Sequence, residues 1–412
     1  MDVTEFLRTS YTAYHAVANC RRMLDEAGFA EVSADDMPRL QAGSKCYAVQ
    51  GGTSIFAFVV GDKPQLMLAE SHTDSPSLHL KGAQTLPTTE GNRLNVEKYG
   101  GLLLYSMLDI PLKVAGRIVY ATETGVQEEL VASAGDVCIP SLCIHHNPDA
   151  NDLSLNVQND MLPLVGQADD VWQWLAPERK VLDADLYAVP DVAPYRWGDQ
   201  AQFLSSPRID NLTSVYTSIT ALIAAKPTGL AMAACFDNEE IGSGTQRGAA
   251  SAYLADLLAA IYRACGYTDY KKAVRQGLAL SIDNGHAAHP AHPEKSDVVL
   301  APVMGGGVVI KHHVNYATNG LSAGIFKRML DIAGIARQDY YNRSDIGCGS
   351  TLGNIAARAL TIDTVDIGIA QLAMHSAVET AAWKDIDTMS QAISTFFACD
   401  IDKQAGAVQI RV

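Results

Sequence analysis

The sequence predicts an α/β fold: a mostly parallel sheet flanked by helices, interrupted by an inserted β-rich domain. Three observations lead there. Apolar strand-like runs alternate with helical stretches outside the middle of the chain, a pattern that folds into a parallel sheet covered on both faces. Between about residues 95 and 200, segments such as GRIVYAT, IPSLCIHHNP and MLPLVG are broken by proline and glycine, with few long helical patterns. At 412 residues the chain also exceeds one ordinary core and suits about two to three units. The expected division is 1–94 and 201–412 for the α/β domain and 95–200 for the insertion.

Residues 4–27 read as a helix: Phe6, Leu7, Tyr11, Tyr14, Val17 and Leu24 recur at helical spacing, and Gly28 suits the position just past its end. His15 lies on that face as a packing residue. Strands at 54–60 and 65–69 flank the turn-like GDKP. Beyond the insertion, helices are expected at 211–225, 249–265, 323–333 and 386–397. Strands are expected at 230–235, 278–282 and 364–369.

Composition narrows the function. Hydrophobic residues make up 48% and charged residues 19%, ordinary for a globular chain. Lysine plus arginine total 31 against 46 aspartates and glutamates, a net charge of −15. So acidic a surface repels phosphate backbones and anionic lipid, which predicts no nucleic-acid and no membrane partner, and attracts cations. MDVTEFLRTS lacks the basic start and apolar run of a secretory signal, and no apolar stretch is long enough to span a bilayer. The 8 cysteines are scattered without a CxxC pair, as in a reduced, cytoplasmic protein.

The chemistry lies where strands end. QLMLA runs into Glu70-Ser71-His72-Thr73-Asp74, LAMAAC into Phe236-Asp237-Asn238-Glu239-Glu240, and LALSI into Asp283-Asn284-Gly285-His286. TVDIGI is followed shortly by Met374-His375-Ser376, and Asp210 opens DNLTSVYTSITAL. Open α/β sheets gather functional groups beyond the carboxyl ends of their strands, so these clusters should meet. Each alone has a bland reading: a turn pair for His-x-Asp, a solvated helix start for Glu-Glu, an N-cap for Asp210. Together, so many anions repel one another unless a cation intervenes. Two metals roughly 3.5–4 Å apart need a bridging carboxylate and about two further ligands each. Asp210 is assigned as the bridge, His72 and Asp283 to one ion, Glu240 and His375 to the other. Imidazole and carboxylate without thiolate suit Zn²⁺, with Co²⁺ or Mn²⁺ compatible on ligand type. On an extended segment Glu239 and Glu240 would diverge, leaving Glu239 to act as general base. Asp74 would accept the second N–H of His72 and fix its tautomer.

At these residues the chain resembles the aspartyl aminopeptidase family of dinuclear zinc metallo-aminopeptidases. The resemblance covers nearly the whole chain. It rests on His72-Thr73-Asp74-Ser75-Pro76, Ser206-Pro207-Arg208-Ile209-Asp210-Asn211-Leu212 and Phe236-Asp237-Asn238-Glu239-Glu240-Ile241-Gly242-Ser243. It continues in Asp283-Asn284-Gly285-His286-Ala287-Ala288-His289-Pro290, Cys348-Gly349-Ser350-Thr351-Leu352-Gly353 and Gln371-Leu372-Ala373-Met374-His375-Ser376. It implies a zinc-peptidase-like proteolytic domain carrying an inserted β-rich dimerisation domain. It also implies two zinc ions held as assigned, catalysis by Glu239 with Asp74, and release of an unblocked N-terminal residue, typically Asp or Glu. A homo-oligomer is implied too, a tetrahedral dodecamer built from dimers, in which His145 reaches a neighbouring subunit's substrate. His286, Lys311 and Tyr316 carry over as further substrate contacts.

Two segments depart from the family pattern. Residues 310–318 are shorter than usual and lack an arginine before Tyr316, and Met107-Leu108-Asp109-Ile110 lacks the tryptophan and arginine that usually flank the aspartate. Two readings compete with the metallo-aminopeptidase: a peptide-binding or scaffold protein that kept the fold, and a cysteine hydrolase using Cys348.

Overall fold

Four strands free of interior charge, apart from one Glu and one Asp, form the heart of the molecule: Leu230–Phe236, Leu66–His72, Leu278–Ile282 and Thr364–Gly368, all wholly buried. In this computed structural model, which describes residues 1–147, 151, 153–347, 349 and 352–412, they pair side by side and all parallel. They are the centre of a 9-stranded sheet whose flanks are partly antiparallel. Side chains alternate across it as the strand period demands. Met67, Ala69, Ala233 and Cys235 enter one apolar core, whereas Leu68, Met232, Ala234 and Phe236 enter the other.

Helices Val3–Thr9, Ala13–Glu26, Ile209–Ala224, Gly320–Ala333 and Trp383–Ala398 cover the first face, through Phe6, Leu24, Ile219, Phe326 and Phe396. Tyr253–Ala264, Tyr270–Gln276 and Leu352–Leu360 cover the second, through Leu257, Ile261, Val274 and Leu352. The expected α/β architecture is therefore present, with helices on both faces. A C-terminal hairpin, Asp400–Gln404 with Ala407–Arg411, is tied down by Lys403, whose Nζ donates to Gly277 O at 2.6 Å and to Asp363 Oδ2 at 2.8 Å.

The inserted region is an antiparallel 6-stranded sheet with its own core, which includes Leu94, Val96, Val114, Ile118 and Leu186. Its strands start at Ser77–Thr88 and Gly91–Tyr99, upstream of residue 95, and its last long strand ends at Pro190. The opening hairpin was invisible to composition because the outer part of Ser77–Thr88 is polar and exposed. Residues 195–197 and 203–206 belong instead to a 5-stranded sheet with Glu379–Ala382, Ala370–Leu372 and Gly285–His286.

The helix expected over 4–27 is two. Ser10 leaves helical geometry and Thr12 is extended, while Asn19 Nδ2 donates to Thr9 Oγ1 and Ser10 Oγ. A run of short hydroxyl side chains offers the backbone a local alternative to the helix. Among the described residues no helix is long and apolar enough to cross a membrane, and the described cysteines are all free. Cys348 lies outside the described residues.

Gly368, at the end of a central strand, illustrates how tightly the sheet holds the segments that leave it. A Cβ there would collide with the carbonyl oxygen of Asp283 and lie 2.9 Å from Asn284 Cα. Backbone atoms within a sheet have nowhere to retreat. Gly368→Ala is therefore expected to cost about 1–3 kcal/mol through overpacking, read as a lower urea midpoint at unchanged slope.

Candidate metal centre

The strand order brings the predicted residues to one edge. His72 is the last residue of Leu66–His72, Asp283 directly follows Leu278–Ile282, and Glu239 and Glu240 follow Leu230–Phe236. Asp210 lies just after Arg208, which holds φ 62°, and its own backbone is not yet helical. His375 sits in the turn between Ala370–Leu372 and Glu379–Ala382 with φ 66°. Arg208, Asn238 and His375 all occupy the left-handed region, so the chain is bent sharply beside three of the ligand-type residues, as functional turns often are.

The two imidazoles are set the same way. His72 Nδ1 lies 3.0 Å from Asp74 O, and His375 Nδ1 lies 3.1 Å from Gly101 O. A carbonyl can only accept, so each Nδ1 carries a hydrogen, and each Nε2, in the neutral ring, presents a lone pair inward. His72 Nε2 is 3.6 Å from Asp210 Oδ1 and 3.6 Å from Asp283 Oδ1. His375 Nε2 is 3.6 Å from Asp210 Oδ2 and 3.4 Å from Glu240 Oε1. Asp210 thus turns one oxygen to each group, and it is almost wholly buried, with Oδ1 lacking a hydrogen-bond partner. Within each of the triads His72–Asp210–Asp283 and Asp210–Glu240–His375, the ligand atoms all lie within 4.8 Å of one another.

These distances are too long for good hydrogen bonds. They match the edge of a coordination tetrahedron, about 3.4 Å for ligands near 2.1 Å from zinc. Converging lone pairs of that kind demand positive charge between them, and the ionisation equilibria show the same demand. Burial opposes a charged His375, yet Asp210 and Glu240 raise it to about 10. Burial likewise works against a charged His72, but Asp210, Asp283 and Asp74 hold it well above the ordinary range. Asp210, which burial alone would raise, is pulled below the usual carboxylate range by the two histidines. The donor set, imidazole and carboxylate oxygen, is of the kind that holds a divalent metal such as zinc.

The structure corrects two details. Glu239 and Glu240 are not on an extended segment but on a 3₁₀ turn, Glu239–Ile241, so their side chains diverge by the one-third rotation of that helix. Asp74 serves His72 through its carbonyl, its nearer carboxylate oxygen being 3.4 Å away. That carboxylate instead accepts the backbone N–H groups of Glu239 and Glu240 at 3.1 Å each and the Tyr99 hydroxyl at 2.7 Å. It fixes the turn that presents both glutamates. Glu239 borders the cleft, and burial, reinforced by Asp283 and Asp74 and opposed by His72, pushes it up to about 7.

An open cleft of about 820 Å³ is lined by His72, Asp210, Glu239, Glu240, Asp283 and His375, together with His286, Lys311 and Tyr316. Tyr340 and Asn342 also line it and were not picked out from sequence, as does Met374, which was noted only as a neighbour of His375. Lys311 is not a solvated lysine: 2% exposed, its Nζ donates to Asp283 Oδ2 at 3.2 Å and Asn284 O at 3.3 Å, over the Tyr316 ring. His145 is apart from the cleft, exposed on the 3₁₀ turn Ile144–His146 of the inserted region. Gly101, from that same region, comes so close to His375 that a Cβ would sit 2.9 Å from Nδ1. Glu379 also went unnoticed in sequence. Its signal was a lone acid in an apolar, strand-like run, AVETAA.

Comparison with known proteins places the chain in a family. The aminopeptidase I zinc metalloprotease (M18) family profile matches residues 6–178 and 173–397. A probable M18 family aminopeptidase 2 of Stutzerimonas stutzeri (strain A1501) is 32% identical over 416 residues, covering 96% of each chain. Among solved structures, Ape4 in its complex with Nbr1 superposes with TM-score 0.91 at 27% identity, over 96% of this chain and 84% of that one. The S. cerevisiae mApe1 dodecamer superposes with TM-score 0.83 at 24% identity, over 96% and 95%. Site geometry, whole-chain similarity and fold converge, and the chain belongs to the M18 family of zinc metallo-aminopeptidases.

Proposed function

We propose that this aminopeptidase works with two divalent cations per subunit, most naturally Zn²⁺, with Co²⁺ or Mn²⁺ as substitutes. The reading is carried by one observation: Asp210 directs one carboxylate oxygen at each of two histidine–carboxylate groups. His72 and Asp283 would hold one ion, Glu240 and His375 the other, with Asp210 shared. Bound there, the cations supply Lewis acidity that polarises a peptide carbonyl and acidifies water.

The chain's own groups do the rest. Glu239, raised to about 7, suits a base near neutrality. It takes a proton from the attacking water as oxygen adds to the carbonyl carbon, then delivers it to the departing amide nitrogen as the C–N bond breaks. Asp74 keeps Glu239 aimed by gripping its backbone N–H. The free α-amine of the peptide finds an anionic site, and His286 and Tyr316 border the space beside it.

Lys311, one of the substrate contacts that the resemblance implies, would be the natural cation to attract an acidic N-terminal residue. Its ammonium is committed to Asp283 and shielded by Tyr316, so it serves the metal ligand more than the substrate. Tyr340, Asn342 and Met374 add no charge. We read the specificity wall as neutral.

The catalytic domain and the insertion are proposed to assemble as dimers within a tetrahedral dodecamer, with His145 reaching a neighbour's substrate. The exposure of Leu142 and Ile144 beside His145 supports this, since a protruding apolar turn favours a partner. The relative mApe1 is itself described as a dodecamer. Free cysteines fit a reducing, cytoplasmic setting.

Glu239→Gln should retain metal while turnover falls about 10²–10⁴-fold; metal loss on dialysis, or unchanged turnover, rejects the base role. Asp210→Asn should weaken both ions together, and elemental analysis showing only one position emptied would remove the bridge. In a panel of aminoacyl-anilides, leucyl and alanyl substrates should be cleaved at least as fast as aspartyl and glutamyl ones. A strong acidic preference that vanished in Lys311→Met would restore Lys311 to substrate recognition.

A further inference from the structure

Asp210 and His375 belong to distant segments, and nothing covalent sets their spacing. A single side chain spans both. Glu379, 2% exposed on the strand Glu379–Ala382, accepts the Asp210 backbone N–H at Oε2 (2.9 Å) and the His375 backbone N–H at Oε1 (2.7 Å). Gln371 Nε2 reaches Oε1 at 3.3 Å, Asn284 Nδ2 donates to Gln371 Oε1 at 2.8 Å and also to Ile209 O at 3.0 Å. A buried row, Asn284–Gln371–Glu379, therefore joins the residue after Asp283, the residue before Asp210, Asp210 itself and His375.

Only a carboxylate fits the end of this row. It must accept on both oxygens, because both backbone partners are donors. A glutamine would turn its amide hydrogens toward one of them, and an alanine would leave two buried N–H groups unpaired. The other ligands have separate anchors: His72 ends a central strand and bonds Asp74 O, and Asp283 is held by Lys311. Their half of the centre does not depend on Glu379 except through Asp210.

We propose that Glu379 is a positioning residue that sets the distance between Asp210 and His375, and so controls occupancy of the Glu240–His375 position in particular. The proposal rests on the two-cation reading given above. Residues that orient metal ligands typically contribute about 10–100-fold in affinity.

The test is a zinc titration of metal-stripped full-length protein, with bound metal measured by elemental analysis and the Co²⁺ absorption spectrum recorded in parallel. Wild type should take up two ions. Glu379→Gln should bind one ion at wild-type affinity and the second about 10–100-fold more weakly, with the Co²⁺ spectrum of the second ion changed. Glu379→Asp, which keeps both acceptor oxygens, should recover part of that loss. Asp385→Asn, altering a buried carboxylate that does not line the cleft and accepts Gly305 and Gly307 N–H groups, should leave both affinities unchanged. Wild type binding fewer than two ions would defeat the two-cation reading rather than the role of Glu379. Two ions bound equally well by wild type and Glu379→Gln would overturn the proposal, as would an equal loss in Asp385→Asn. Should Glu379→Gln fail to fold, Glu379→Asp decides: a weakened second ion beside an unchanged first supports the proposal, and unchanged affinity for both ions, or loss of both together, contradicts it.

Discussion

Electrostatic repulsion among lone pairs is the constraint around which this molecule is organised. Two imidazole nitrogens and the carboxylates of Asp210, Asp283 and Glu240 point into one small volume. Left alone they would separate or take up protons. The fold prevents separation by fixing each ligand from behind. The histidines are held by backbone carbonyls, Asp283 by Lys311, the Glu239–Glu240 turn by Asp74, and Asp210 and His375 by Glu379. Such preorganisation is what makes a cation bind tightly and in one geometry.

Much of this was legible in the sequence because strand ends are legible. Long apolar runs terminate abruptly in His72, Asp283 and the Glu239–Glu240 pair, and a parallel sheet must bring those ends together. The helix that follows Asp210 and the strand before His375 were readable for the same reason. What escaped was whatever depends on a partner distant in sequence. The role of Glu379 is defined by two N–H groups it does not neighbour. Lys311 reads as surface charge until Asp283 and Tyr316 are seen beside it. The 3₁₀ turn at Glu239 follows from the αL geometry of Asn238 and from Asp74, neither of which has a local pattern. The opening hairpin of the second sheet was hidden by the exposed polar part of Ser77–Thr88.

The two acidic residues that do not face the cleft divide the supporting labour. Asp74 ties together neighbours in sequence, presenting Glu239 and Glu240 as one unit, whereas Glu379 ties together residues more than a hundred positions apart. Both use carboxylate oxygens to accept main-chain N–H groups, so both act on where the chain runs rather than on side-chain rotamers.

The contact between Gly101 and His375 has a consequence for motion. One imidazole of the centre takes its orientation from a carbonyl that belongs to the neighbouring sheet's connection, not to the sheet that carries the chemistry. If that connection swung away, the ring would be free to rotate and to exchange its tautomer, and its inward lone pair would be lost. The orientation of this ring is thus shared between two sheets: the turn that carries it belongs to one, and the carbonyl that aligns it follows a strand of the other.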